Sequence, residues 1–395
     1  MSDDVSADSG GGGSDSVTEV TTTSWLQRLG QSIVGFGIGT LLIIGSVALL
    51  WRNEGRAVDA IRALDQGARQ VIEVAAASVD AGTEGKLVHL SGVMTTSAPA
   101  KDTAFGISGD GLLRLKRTVE MYQWTEDKTT HSQTNLGGAK TTETTYTYKK
   151  EWADKPTASD HFHEPNGHEN PPMPVTSTTI DSTDVRLGAY RVDRALLDKV
   201  SAFAPFAPPE GLGLPAGYHA EGDVLYRGRD SGNPAVGDTR VRYAAVSSAM
   251  MSVVAVQASG VLAPYQAAHG YQIALADAGV VPAAEMFREK KEAESLWTWI
   301  LRAIGFVLML IGFILMASPL SVAASVVPLL GDLVGVGALL LGLAIAVPLT
   351  LLVIALAWIV HRPLVGVGLI AAALTLAFLL ARLPRRPVAA VSAGR

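Results

Sequence analysis

Polar and apolar positions along this chain fall into long separate blocks. Residues 29–51 hold no Asp, Glu, Lys or Arg, and the same is true of 303–331, 333–361 and 363–381. About 20 consecutive apolar residues let a helix cross the hydrocarbon core of a bilayer. A helix buried in a soluble core averages about 11–12 residues and keeps a polar stripe, whereas these runs are apolar on every side. They predict four membrane spans. Trp25, Trp51, Trp297, Trp299 and Trp358 fall near the ends of the runs, where an indole buries its ring and keeps its N–H wet.

Between the runs the pattern changes twice. From Glu54 to Val74, positions Val58, Ile61, Leu64, Ala68, Val71 and Ile72 share one helical face, and Asp65/Arg69 and Arg69/Glu73 stand four apart on another. This spacing predicts an amphipathic helix leaving the membrane. From about 86 to 281 the texture is β-rich, with segments such as Leu87–Met94, Leu112–Trp124, Thr144–Trp152, Tyr218–Tyr226, Arg240–Tyr243 and Ser252–Ser259 separated by Gly, Pro, Asn and Asp. The Thr-rich stretch from Thr129 to Thr145, holding Gly137 and Gly138, reads as a hairpin loop, and Asp193–Val200 as a short helix. Pro282 suits the first position of a helix that runs on through Trp297 and Trp299. Within the C-terminal block, spans are expected near 300–319, 334–360 and 364–381, with 320–332 interfacial or re-entrant.

The expected fold is a multi-pass α-helical membrane protein with a large β-rich (α+β) soluble domain inserted between the first and second transmembrane helices. Its parts are a disordered polar tail (1–24), a first transmembrane helix (25–52), the soluble domain (53–298), three further membrane helices (299–382) and a basic tail (383–395). Residues 1–23 contain four consecutive glycines, five acids and no Lys or Arg, too little apolar surface to offset chain entropy. The acidic start also argues against a cleaved secretory signal. Four spans would put both termini on one side and the soluble domain on the other. Lys and Arg counts do not choose the side, because Arg382, Arg385 and Arg386 are offset by Arg52, Arg56, Arg62, Arg288, Lys290 and Lys291 around the soluble domain.

Composition narrows the function classes. The net charge of −5 comes without a clustered basic face, so nucleic acid is not an expected partner. The chain has no cysteine, which removes disulfides, thiolate metal sites and cysteine nucleophiles.

Several short motifs occur in order: Asn53-Glu54-Gly55-Arg56-Ala57 after the first run, Val119-Glu120-Met121-Tyr122-Gln123-Trp124, then Tyr146, Tyr148 and Glu151-Trp152. Gly167-His168-Glu169-Asn170-Pro171, Gly237-Asp238-Thr239-Arg240-Val241, the Trp297 to Gly305 segment and Arg362-Pro363-Leu364 follow. Over about residues 25–385 this series resembles the transmembrane protein 43 family. The resemblance implies four spans, with the large domain in the endoplasmic reticulum lumen or perinuclear space of eukaryotes and, by analogy, outside the cytoplasm in bacteria. It also implies a non-enzymatic, self-associating scaffold, which in eukaryotes organises partners including emerin and lamins at the inner nuclear membrane. The Ala/Gly/Val-rich, cysteine-free composition points to a bacterial member in a cell membrane, where lamins and emerin do not apply.

Candidate chemistry is sparse. Asp160, His161, His163, Glu164, His168 and Glu169 form the densest group of ligand-type side chains. On a strand His161 and His163 would face one way, and His168 could return across Pro165-Asn166-Gly167 to complete a zinc or copper site; the flanking prolines fit a solvated loop better. No cofactor is expected. Gly35 with Gly39, and Gly331 with Gly335, have the spacing that lets membrane helices approach closely. Glu54 and Arg56 can pair with each other, with lipid phosphate or with the soluble domain. Glu120, Tyr122 and Trp124 share a strand face, and Trp152, Gly167, Asn170, Pro171, Arg362 and Pro363 enter as structural motif positions. The leading expectation is a scaffold contacting the lipid bilayer, other membrane or envelope proteins and further copies of itself. The alternatives are a membrane-anchored metal-dependent hydrolase built on His161, His163 and His168, and an ion or lipid transporter centred on Asp332.

Overall fold

The structure, a computed structural model, describes residues 15–361 apart from 210 and 212. The fourth uncharged run at 363–381, the motif residues Arg362 and Pro363 and the 383–395 tail lie outside the described residues. Among those described, three helices are long and apolar enough to cross a membrane: α1 (Trp25–Gln70), α2 (Ala283–Ala324) and α3 (Pro328–His361). A large β-rich domain lies between the first and second of them in the chain. Two compact units result, one from residues 15–28, 62–292 and 325–328, the other from 29–61, 293–324 and 329–361.

In the β-rich unit one sheet has eight strands. They are β1 (Asp15–Thr23), β4 (Leu112–Thr134), β5 (Lys140–Ala153), β6 (Thr178–Asp181), β9 (Ala204–Phe206), β10 (Tyr218–Glu221), β11 (Val224–Arg227) and β12 (Thr239–Ser247). Their order is β1-β5-β4-β12-β11-β10, with β6 added to β4 and β9 to β12. The second sheet contains β2 (Ile72–Glu73), β3 (Leu87–Thr96), β7 (Val185–Leu187), β8 (Tyr190–Val192), β13 (Ala249–Ala258), β14 (Val261–Ala263) and β15 (Leu275–Ala278). Its path β13-β14-β8-β7-β3 closes on itself through a β13–β3 pairing, which removes two open edges from the ring. Leu90, Met94, Leu187, Tyr190, Val253 and Leu262 are fully buried members of its core. A second core, with Phe105, Leu115, Val119, Leu225 and Val241, underlies the first sheet.

The segment expected to be a disordered tail is partly a strand. β1 forms a continuous antiparallel ladder with β5, from Asp15 opposite Tyr148 to Thr23 opposite Lys140. Averaging over residues 1–23 hid it, because Gly10–Gly13 and the acids dominate the composition while 16–23 are rich in β-branched Val and Thr. The Thr-rich stretch is likewise ladder and not loop, with β4 and β5 paired from Met121/Ala153 to Thr134/Lys140. Only Asn135–Ala139 turns, Gly137 and Gly138 both taking positive φ. The turn is held by the start of α1 and the α2–α3 connection: Arg28 donates to the Gly138 carbonyl at 2.5 Å and to Ser325 Oγ at 3.2 Å, and the Gly137 N–H donates to the Val326 carbonyl. The tail therefore belongs to the β-rich unit, against the expectation that it lies apart.

The helices also depart from their expected boundaries. α1 runs unbroken from the Ser24 cap, whose Oγ accepts from the Gln27 N–H, and stops where Val71 turns extended and β2 joins β3 in parallel. Its last turns pack Leu64 beside Met286 and Phe287 of α2. Pro319 does not end α2, which continues to Ala324. A proline near a helix end removes a single N–H bond, so the break falls at 325–327, and Pro328 opens α3 as a first-turn proline can. The 320–332 segment is thus helix, short turn and helix, with Asp332 the fifth residue of α3.

In the second unit the glycines set how closely α1 and α2 approach. A Cβ on Gly39 would lie 2.5 Å from the Gly312 carbonyl oxygen, one on Gly312 would meet Ile43, and one on Gly305 would meet Leu50. Gly35 faces Ser318 of α2, and Gly335 faces Ser321 at 3.7 Å; the Gly331 carbonyl accepts from Ser321 Oγ. Gly35 and Gly39 are used within one chain, so their spacing does not itself argue for pairing of copies. Leu50, Met309, Ala346 and Val353 form the core of this helical unit.

The β1–β5 register is open to a direct check because the chain has no native cysteine. Thr18 and Thr145 are paired, with their hydroxyl oxygens 3.2 Å apart, and directly opposed residues lie within disulfide reach. Under mild oxidation a Thr18→Cys/Thr145→Cys protein should lose both free thiols by mass spectrometry, and an off-register Thr18→Cys/Thr142→Cys protein should keep them.

Candidate functional site

The first candidate lies in the helical unit, where three uncharged runs end together. Just past its run, α1 carries Asn53-Glu54-Gly55-Arg56; α2 carries Arg302 at the edge of its run; α3 carries Trp358 near its end. Glu54 is 1% exposed. Arg302 donates to it through Nε at 2.6 Å and Nη2 at 2.8 Å, and Trp358 Nε1 donates to Oε2 at 2.7 Å. The two-pronged contact uses the fixed fork of the guanidinium. The guanidinium also stands over the Trp299 ring at 4.6 Å and the Trp358 ring at 5.8 Å, so the cation is flanked by aromatic faces.

Glu54 and Arg56 do not pair with each other. Arg56 reaches Glu294 at 2.6 Å and Thr298 Oγ1 at 3.4 Å, while Asn53 donates to the Thr298 carbonyl. Residues two apart on a helix point in different directions, and each charge finds its partner on α2. Gly55 packs tightly on α3, since a Cβ there would lie 3.0 Å from the His361 ring. Sequence reasoning placed Arg302, Trp358, Glu294 and Thr298 in no site. The available signal was positional: an arginine at the inner edge of an uncharged run is costly unless it snorkels or finds a partner.

The other motif residues gather in the β-rich unit. Glu120 accepts from Arg240 at 2.6 Å and from Arg242 at 2.8 Å; the Arg240 hydrogen bond, with the positive charge of both arginines, holds its carboxyl below the usual carboxylate range against a burial effect that raises it. Tyr122 sits opposite Trp152, their rings 5.4 Å apart, and Arg240 covers Trp152 at 4.4 Å. β12 leaves the side of β4 after Thr239 opposite Met121. The next backbone groups are taken up by the following loops: Asp238 and Gly237 bond Tyr122, and the Asn170 side chain serves Trp124. Asn170 Oδ1 accepts from the Trp124 N–H at 2.8 Å and Nδ2 donates to its carbonyl at 2.9 Å. One amide side chain thereby replaces a strand partner. Pro171 abuts Gly237, where a Cβ would meet its ring at 2.9 Å, and Gly167 turns the loop at φ +86.

The histidines do not converge. Ser159–His161 is a single tight turn, so His161 and His163 share no strand face. His161 is exposed, and His163 is exposed while stacking on Tyr146. His168 is buried, with Nδ1 at 2.8 Å from the Glu164 carbonyl, Nε2 at 2.9 Å from Asp15, and its ring stacked on Tyr148. Both ring nitrogens are engaged, leaving neither for a metal. Among the described residues no group of three or more His, Asp or Glu side chains is arranged to hold one. The Glu164 carboxylate does not assemble with the histidines; its backbone N–H donates to the Tyr148 hydroxyl. Burial, then the bond to Glu126, pushes Tyr148 up to about 12.

Most of the motifs fall within one family model. A model described as transmembrane protein 43 matches residues 121–363. Rat transmembrane protein 43 is 32% identical over 360 residues, covering 88% of this chain and 90% of the rat protein. The chain belongs to the transmembrane protein 43 family. Human transmembrane protein 43 is 32% identical with 86% of this chain covered and 88% of its own, and the Drosophila melanogaster homologue 31% with 90% and 94%. No solved structure matches. The family model thus covers the β4 motif from Met121 on, the Asn170 loop and the helices bearing Arg302 and Trp358, and Glu54 and Glu120 lie N-terminal to it.

Two substitutions test this geometry. Arg302→Ala strands a buried carboxylate and should cost roughly 3–5 kcal/mol, read as thermal unfolding of the detergent-solubilised chain; Glu54→Leu/Arg302→Met should cost far less. Asn170→Ala orphans both backbone groups of Trp124 and should cost about 1–3 kcal/mol in the same assay, whereas Glu169→Ala on the exposed side of the loop should change little.

Proposed function

We propose that this member of the transmembrane protein 43 family is an organising protein, anchored by several spans, that assembles other membrane or envelope proteins through its β-rich domain and acts without catalysing a reaction. In this reading the 364–381 run is a fourth span in a bacterial cell membrane, and copies of the chain associate. The observation that carries it is the outer edge of β1. This strand of nine residues ends the eight-stranded sheet and pairs on one side alone among the described strands. Its sequence Asp15–Thr23 has neither proline nor lysine, the usual guards of a free edge, and Val20 is 52% exposed. An open edge of this kind accepts an extended segment of another protein by strand addition.

The two alternatives lose support from geometry. A hydrolase on His161, His163 and His168 needs ligands that converge, and these do not. A pathway centred on Asp332 needs a group deep between helices, whereas that residue is the fifth of α3, close in sequence to the turn at 325–327.

A photo-crosslinking residue at position 20 should give a small number of discrete protein adducts in intact membranes, and one at exposed Leu136 in the hairpin turn should not. Diffuse or absent adducts at position 20 would count against the scaffold reading.

A further inference from the structure

Two adjoining spaces in the helical unit differ in character. The first, a cavity of about 180 Å³, is lined by Glu54, Ser295, Thr298, Trp299, Arg302 and Trp358 together with aliphatic residues of α1. The second, of about 270 Å³, is lined almost wholly by apolar groups of α2 and α3, among them Phe306, Val347, Leu351 and Ile354. Trp299 and Arg302 line both. A polar compartment and an apolar one therefore share a wall at the level where the uncharged runs of α1, α2 and α3 end.

We propose that this paired site binds one zwitterionic phospholipid, its phosphate against Arg302, its headgroup amine on the Glu54 side of the polar cavity, and an acyl chain along Phe306, Val347, Leu351 and Ile354. Arg302 has five N–H donors and spends two on Glu54, so three remain for a phosphate in the cavity it lines. The Glu54 carboxylate presents the opposite sign within the same cavity, and the pair is neutral as a unit. A headgroup carrying both charges offers a partner to each member of the pair, whereas a purely anionic one offers none to Glu54. The Trp299 and Trp358 rings beside the cavity suit an ammonium and mark headgroup depth. The apolar groove continues down α2 from Arg302 through Ala303 and Phe306, the direction an acyl chain follows from a phosphate at the interface. Binding of this lipid is independent of whether the β-rich domain recruits partners.

The test uses the full chain in mild detergent, with native mass spectrometry during addition of phosphatidylethanolamine, phosphatidylglycerol with the same acyl chains, or inorganic phosphate. One phosphatidylethanolamine per chain should be retained at an activation that strips further lipid, with phosphatidylglycerol retained about tenfold less and inorganic phosphate displacing neither. Ala303→Trp fills the groove without touching the ion pair, and Glu54→Gln/Arg302→Gln removes both charges while keeping hydrogen-bonding groups in place. Each variant, shown by circular dichroism and gel filtration to keep its fold, should lose retention about tenfold or more, as the loss of a charge-assisted contact or of the chain's site requires. Equal retention of the two lipids, displacement by inorganic phosphate, or unchanged retention in both folded variants overturns the proposal, the last leaving general annular lipid alone. If neither variant keeps its fold, the headgroup comparison on the unaltered chain decides.

Discussion

One buried carboxylate holds the helical unit in register. Glu54, Arg302 and Trp358 come from three helices and lie far apart in the chain, yet their side chains meet where each uncharged run gives way to polar sequence. A charge taken out of water costs several kcal/mol unless it is matched in geometry and hydrogen bonding. Two prongs from Arg302 and one from Trp358 supply that match, and they do so at a single relative depth of α1, α2 and α3. Sliding any one helix by a turn, about 5.4 Å, would break the set. Farther along, glycines do the complementary work: with no side chain at Gly39, Gly305 and Gly312, the backbones come close enough for packing to replace the hydrophobic drive that lipid does not provide.

The β-rich unit uses a related device on its backbone. β4 is 23 residues long, and no single partner covers that length on both sides. β12 serves it as far as Met121, the Gly237-Asp238 turn serves Tyr122, and the Asn170 amide serves Trp124. Buried backbone groups left unserved would cost about as much as lost hydrogen bonds, so the loop from 154 to 177 is fixed by what β4 lacks. His168 then anchors the same loop to β1 through Asp15. The Gly-His-Glu-Asn-Pro motif is accounted for by this closure, without a ligand.

This explains what the sequence disclosed and what it withheld. The membrane runs were legible because a hydrocarbon environment forbids charge over a fixed length, a constraint written locally. The strands at Leu87, Leu112, Arg240 and Ser252 were legible from alternation and turn residues. β1 was not, since its partner lies more than a hundred residues away and its own first residues read as disordered. Glu54 was visible as a juxtamembrane acid, but its partner stands 248 residues on, and two residues away Arg56 offered a false local solution. His161, His163 and His168 looked like ligands because polar side chains that satisfy backbone carry the same letters as those that bind metal. Local periodicity identifies elements; the chemistry between elements rests on pairings that no window of sequence contains.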